Sequence, residues 1–234
     1  LRFTSSGLMS ATAAAIQLTK VADLTLSYPD TNYSPNGLVT AVMTTDSPGV
    51  VTYSTNSPST VCTVNSASGV ATIKGVGNCV VNAVVAGTTY YLTNNTVATL
   101  RILKAAQAAL NLTNQNSTNF MQTLTVSSAG GSGTGAVTYN AVGTCQLVGT
   151  TLVVGDAGSS CVITATKAGD NNYEPITTAP MTVTINKIAQ ATLQLVNLAT
   201  TEVGELELVS AGGSGPGVVA YELVSAGTAN CSIV

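Results

Sequence analysis

The sequence predicts an all-β protein assembled from tandem Greek-key β-sandwich modules, and three observations carry that prediction. Landmarks recur at a spacing of roughly 84 residues, the mark of an array of similar units. They are a Tyr ending a short apolar strand (Tyr53, Tyr139, Tyr221), a Cys soon after it (Cys62, Cys145, Cys231), and a Lys closing an alternating strand (Lys20, Lys104, Lys187). Successive Cys are 83 and 86 positions apart, the Tyr 86 and 82, and the Lys 84 and 83. The second observation is period-two alternation of apolar and polar residues along most of the chain, with helix signals nearly missing. The third is dense turn material between the alternating runs. An array of this kind points away from one large enzyme fold.

The Lys landmarks set the expected boundaries: residues 1–20 as the closing strand of a preceding module, 21–104 as module 1, 105–187 as module 2, and 188–234 as the first half of module 3. The segment from Gly7 to Leu18 has the apolar look of a signal-peptide core. Its tail, Ala-Ala-Ala-Ile-Gln-Leu-Thr-Lys, nevertheless aligns with the later closing strands.

Module 2 justifies the elements in order. Ala108-Ala-Leu-Asn-Leu-Thr, Gln122-Thr-Leu-Thr-Val-Ser and Ala136-Val-Thr-Tyr alternate at period two. Gln146-Leu-Val, Gly149-Thr150 and Thr151-Leu-Val-Val have the form of a hairpin with a tight turn. Val162-Ile-Thr-Ala-Thr and Met181-Thr-Val-Thr-Ile complete about seven short strands. Ala129-Gly-Gly-Ser-Gly-Thr-Gly, Gly155-Asp-Ala-Gly and Gly169-Asp-Asn-Asn separate them. Strands of this number, length and punctuation predict a sandwich of immunoglobulin-like type. The rings of Tyr53, Tyr139 and Tyr221 are expected to be partly buried near the Cys pairs.

Cys62 and Cys79 lie 17 positions apart and Cys145 and Cys161 lie 16 apart, each pair at the same place in its module. Such a recurring pair reads as an intramodule disulfide formed in an oxidising compartment; small buried thiols are the alternative. Closing the loop would stabilise a module by about 3 kcal/mol, which matters for a unit of this size. Cys231 holds the first-Cys position of module 3 and is read as unpaired through truncation.

Composition narrows function further. Charged residues make up only 7% of the chain, against about 25% in typical globular proteins. Thr, Ser, Asn, Gly and Val fill the difference, so the surface is poorly protected against self-association. The formal net charge is −3 and the seven basic residues are scattered, which leaves no footprint for nucleic acid. No apolar run is long enough to span a bilayer.

The residues needed for catalysis are scarce. His is absent, so neither a Ser-His-Asp nor a Cys-His site can be built. The acids cluster only as Glu202, Glu205 and Glu207, at or beside a predicted strand, and are expected to face solvent. The Gly-rich loops lie between strands with no Lys in P-loop position. Asp170-Asn171-Asn172 with Glu174, and Asp30-Thr31-Asn32, offer oxygen ligands for calcium, but module 1 has Thr88-Thr89 at the matching place, and a turn-forming role is preferred. No cofactor or metal is expected. Five Asn-x-Ser/Thr sequons mark candidate glycosylation sites at Asn32, Asn94, Asn111, Asn116 and Asn230.

The string Ser128-Ala-Gly-Gly-Ser-Gly-Thr-Gly-Ala-Val-Thr-Tyr139, the Cys pair, Ala165-Thr-Lys-Ala-Gly-Asp-Asn-Asn-Tyr173 and Thr-Val-Thr-Ile-Asn-Lys187 resemble bacterial immunoglobulin-like repeats of large secreted or surface proteins. Module 3 repeats the opening phrase as Ser210-Ala-Gly-Gly-Ser-Gly-Pro-Gly-Val-Val-Ala-Tyr221, whereas module 1 departs with Thr44-Thr-Asp-Ser-Pro-Gly. The resemblance implies a stalk, adhesin or fibre role without common catalytic residues.

The expected protein is therefore a non-enzymatic extracellular or cell-surface structural protein, a rod or filament subunit whose partners are copies of itself. The alternatives are an adhesin stalk whose binding domain lies outside this chain and, third, a carbohydrate-binding module using Tyr90 or Tyr91. The partial modules at both ends fit a longer array, favoured here, or completion by strands from neighbouring chains.

Overall fold

The computed structural model describes residues 18–196, 204–225, 227 and 231–233. Among the described residues there is no helix; the chain is all-β, in tandem Greek-key sandwich modules of immunoglobulin-like type. The first repeat contains β1 (Lys20–Val21), β2 (Leu24–Ser27), β3 (Thr31–Asn32), β4 (Leu38–Val39), β5 (Val42–Thr45), β6 (Val51–Thr55), β7 (Cys62–Val64), β8 (Ala71–Ile73), β9 (Gly77–Val85), β10 (Tyr91–Leu92) and β11 (Asn94–Leu103).

One sheet runs β3-β11-β9-β6 and the other β4-β8-β7, with β2 paired to β5. The spine is the antiparallel pair β9/β11, in register from Asn94↔Val85 to Ile102↔Gly77. Alternation along β9 buries Cys79, Val81, Ala83 and Val85 completely, and along β11 it buries Leu100 and Ile102. Each such Val, Leu or Ile contributes roughly 1.5–3 kcal/mol by leaving water. The Cys62–Cys79 disulfide joins β7 to β9 and so staples one sheet to the other, with its Cα atoms 5.9 Å apart.

Two tyrosines complete this core around Gly69. The Tyr28 hydroxyl donates to the Gly69 carbonyl at 2.5 Å, and burial pushes its pKa up to about 12. The Tyr53 ring lies against Gly69 itself, where a Cβ would come within 2.7 Å of the ring. With φ at +71°, only glycine suits both the backbone and the space.

The second repeat contains β12 (Leu110–Leu112), β13 (Ser117–Asn119), β14 (Thr123–Thr125), β15 (Ser128–Gly130), β16 (Val137–Gly143), β17 (Gln146–Val148), β18 (Thr151–Val153), β19 (Ser160–Lys167), β20 (Ile176–Thr177) and β21 (Met181–Asn186), which follow the order of the first except that β20 pairs with β19 whereas β10 pairs with β1. The strand orders recur as β13-β21-β19-β16 and β14-β18-β17, with β12 on β15. The tight hairpin expected at Gly149-Thr150 is present, with Val148 opposite Thr151 and Gly149 at φ +64°, as a two-residue turn requires. A disulfide links Cys145 and Cys161, Cα atoms 6.0 Å apart. The third repeat shows β22 (Leu193–Leu195) paired with β23 (Ser210–Gly212), in the register of β12 with β15.

The expected Tyr-bearing strand of the third repeat differs. Val218–Tyr221 is not a strand, and Tyr221 is exposed. In the first repeat the equivalent β6 is held by β9; no strand corresponding to β9 is among the described residues of the third. Tyr53 is buried as expected and Tyr139 is half-buried.

The fold divides into two compact units: Leu1–Asn114 with Val126–Asn140 and Ile163–Met181, and Gln115–Thr125 with Ala141–Val162 and Thr182–Val234. The site described next lies wholly within the first.

Candidate functional site

The turn from Ala168 to Glu174 forms a polar joint between the first two repeats. Asp170 organises it. Its Oδ1 accepts the backbone N–H groups of Asn172 (2.8 Å) and Tyr173 (2.9 Å), and its Oδ2 accepts the N–H (2.7 Å) and hydroxyl (3.1 Å) of Thr134. These bonds stabilise the charged form, led by the Thr134 N–H, and pull the carboxyl from its ordinary 3.8 to about 2.

The turn then grips the linker. The Ala105 N–H donates to the Asn172 carbonyl at 3.0 Å, and the Glu174 N–H donates to the Ala105 carbonyl at 2.9 Å. Ala105 and Tyr173 form a parallel β-bridge. Since β11 ends at Leu103, the last strand of one repeat enters this joint with almost no slack.

Contacts also reach the body of the first repeat. The Val76 N–H donates to Asn172 Oδ1 at 3.1 Å. The Tyr173 ring stands edge-on to Tyr33, centroids 5.4 Å apart and planes at 88°, an arrangement worth about 0.5–1.5 kcal/mol beyond area burial. Tyr33, Pro35, Ser132, Thr134 and Asp170–Tyr173 line an open cleft of about 570 Å³ here.

Gln107 sits behind the turn, only 7% exposed, with its amide fully used. Its Nε2 donates to the carbonyls of Ala168 (3.1 Å) and Glu174 (2.8 Å), and its Oε1 accepts the Gly133 N–H (3.1 Å). Sequence reading missed this residue. The signal was present in Lys104-Ala-Ala-Gln107-Ala-Ala-Leu110, which recurs as Lys187-Ile-Ala-Gln190-Ala-Thr-Leu193.

The loop after β5, β15 and β23 performs one task in all three repeats. A side-chain oxygen from it takes the N–H just ahead of the first strand: Asp46 Oδ1 from Asp23 (2.8 Å), Ser132 Oγ from Ala108 (2.9 Å), and Ser214 Oγ from Ala191 (2.9 Å). The Asp in the first repeat brings further partners. The Lys20 ammonium lies 2.5 Å from Asp46 and 3.1 Å from Asp23, which raises the lysine's pKa and lowers that of Asp46.

The remaining candidates fall as follows. Cys62 is bonded to Cys79 and Cys145 to Cys161; Cys231 is exposed and unbonded. Asn32, Asn111 and Asn116 are exposed, the Asn94 amide donates to the Ala22 carbonyl at 2.7 Å, and Asn230 lies outside the described residues. Of the oxygen-rich turns, Asp170 spends both oxygens on N–H and O–H donors and Asp30 pairs with Arg101 at 3.2 Å, so both serve local structure. Glu205 and Glu207 are exposed and not in a strand; Glu202 lies outside the described residues. Tyr90 is exposed and Tyr91 half-buried. No helix among the described residues is long and apolar enough to cross a membrane.

No family model and no curated protein matches the chain. Solved structures with similarity include mouse cadherin-23 EC22-24 (15% identity, TM-score 0.31, covering 73% of this chain and 65% of that one). Another is the titin domains z1z2 in complex with telethonin (13%, TM-score 0.39, 73% and 99%). A third is Drosophila N-cadherin EC1-4 (12%, TM-score 0.29, 82% and 61%). The chain thus spans less than two thirds of the two cadherin fragments.

Proposed function

We propose that this protein is a non-enzymatic extracellular structural protein, a bacterial-type array of immunoglobulin-like repeats that builds a rod or a surface filament. One observation carries the reading: a disulfide-stapled unit with the same strand order in each sheet recurs and is coupled to its neighbour through a joint of main-chain hydrogen bonds. Units that contact only their neighbours transmit length and load along one dimension. The paired cysteines support an oxidising compartment, and the neutral Thr-rich faces suit packing against copies of itself. On this reading the repeats run 21–104, 105–187 and 188–234, with 1–20 closing a preceding one. Asn32, Asn111 and Asn116 are the sequons whose exposure suits glycan attachment.

Electron microscopy of native, unreduced material tests this. Continuous fibres with a regular axial repeat support the filament. Isolated beaded rods turn the reading to an adhesin stalk, which would use the same joints as spacers. Compact particles without beads would end both.

A further inference from the structure

The geometry points to a second joint surface at the other pole of the first repeat, built on Tyr90, whose occupant is a preceding immunoglobulin-like repeat in the same polypeptide. The inference rests on the array reading above and names the contact it requires.

The turn 86–92 of the first repeat is the counterpart of turn 168–174. The Thr88 N–H donates to the Tyr91 carbonyl (2.8 Å) as Asp170 N–H does to Tyr173 (3.0 Å). The Lys20 N–H donates to the Tyr90 carbonyl (2.8 Å) as Ala105 N–H does to Asn172 (3.0 Å). The parallel pairing Lys20↔Tyr91 matches the Ala105–Tyr173 bridge. Tyr90 therefore stands where Asn172 stands, and Tyr91 where Tyr173 stands.

The two turns differ in what covers them. Asn172 and Tyr173 seat on Val76 and Tyr33 of the repeat before them. Tyr90 is 68% exposed, and beside it Val21 (54%) and Leu92 (49%) are paired across β1 and β10. Large apolar residues grouped this way mark an interaction surface. A Tyr in place of Asn172 calls for a counterpart that packs on its ring and meets its hydroxyl, rather than a lone backbone N–H.

Residues 13–20, Ala-Ala-Ala-Ile-Gln-Leu-Thr-Lys, carry the closing-strand pattern that ends at Lys104 and Lys187 in the later repeats. At the observed joint the closing strand β11 leads directly into Ala105. The same arrangement delivers a preceding repeat onto Tyr90 with equally little slack. That linkage selects a neighbour in the same chain over a second copy.

Tyrosine nitration with tetranitromethane, read by peptide mass spectrometry, tests the surface in unaltered protein. The purified 234-residue chain should be nitrated at Tyr90 at every concentration, and native unreduced material should lose that nitration. Tyr90 reactive in both preparations overturns the inference, even if microscopy shows an array. Protection in the purified chain that grows with concentration overturns it in favour of a second copy. Isolated compact particles by microscopy would remove the array reading itself, independently of the nitration pattern.

Discussion

The first and second repeats share strand order and a disulfide, yet they support equivalent positions with different chemistry. The tyrosine of the central strand shows this best. In the second repeat the Tyr139 hydroxyl is 3.0 Å from Ser128 Oγ, and in the third the Tyr221 hydroxyl donates to Ser210 at 3.2 Å. In the first repeat Met43 holds the register position of Ser128, opposite Leu26 as Ser128 is opposite Leu112. Tyr53 there is buried instead and lies on Gly69. One repeat anchors its tyrosine by a hydrogen bond and the other by packing.

The glycines follow the same division. Gly69 and Gly149 both have positive φ, but a Cβ at Gly69 would strike the Tyr53 ring whereas nothing lies within 4 Å of one at Gly149. A glycine required by backbone alone is cheaper to replace than one required by backbone and space together.

The largest effect that can sharpen this comparison comes from the staple. Cys62→Ser should lower the stability of the first repeat by about 3 kcal/mol, read by chemical denaturation, and leave the second repeat's transition in place. An unchanged midpoint would remove the disulfide from the account of stability. Gly69→Ala should cost about 2–3 kcal/mol through strain and overpacking, against about 1 kcal/mol for Gly149→Ala. Equal costs would show that Tyr53 yields freely, and the packing half of the comparison would fall.

The joint offers a pH-dependent test. The Asp170 carboxyl has its pKa lowered to about 2 from 3.8. Its contribution is therefore fully present above the ordinary value and is lost as pH falls through about 2. Protection of the Asn172 and Tyr173 amides, taken relative to their intrinsic exchange rates, should hold at pH 4 and fall near pH 2. Asp170→Ala should remove the protection at both; protection indifferent to pH and to the substitution would take Asp170 out of the joint. A smaller effect is expected from Tyr139→Phe, which removes one half-buried hydrogen bond worth about 1 kcal/mol. Tyr53→Phe should be nearly silent, and a larger loss there would mean that its hydroxyl matters as much as its ring.

Much of the fold was legible before the structure, for identifiable reasons. Alternation along Val162-Ile-Thr-Ala-Thr and Met181-Thr-Val-Thr-Ile is a local property, and both runs fall inside β19 and β21. The tight turn at Gly149-Thr150 is local too. The joint was not legible. Asn172 meets the Val76 N–H across 96 positions, and Gln107 meets Glu174 across 67. The Gly-rich loop was legible as a connection between strands, but not the Ser132 hydroxyl in it that takes the Ala108 N–H.

By itself the sequence determined the repeat, the strands and the recurring positions of the cysteines, because side-chain periodicity and turn chemistry act over a few residues. Only the tertiary structure decided which polar groups meet. Asp170 ties its own turn to the loop of Thr134, Asn172 reaches the neighbouring repeat, and Gln107 is buried while the same residue at Gln190 is exposed. The physical reason is that a buried amide or carboxylate must find partners where it lies. Those partners are backbone groups, identical in every residue, so nothing in the sequence marks which of them will be near.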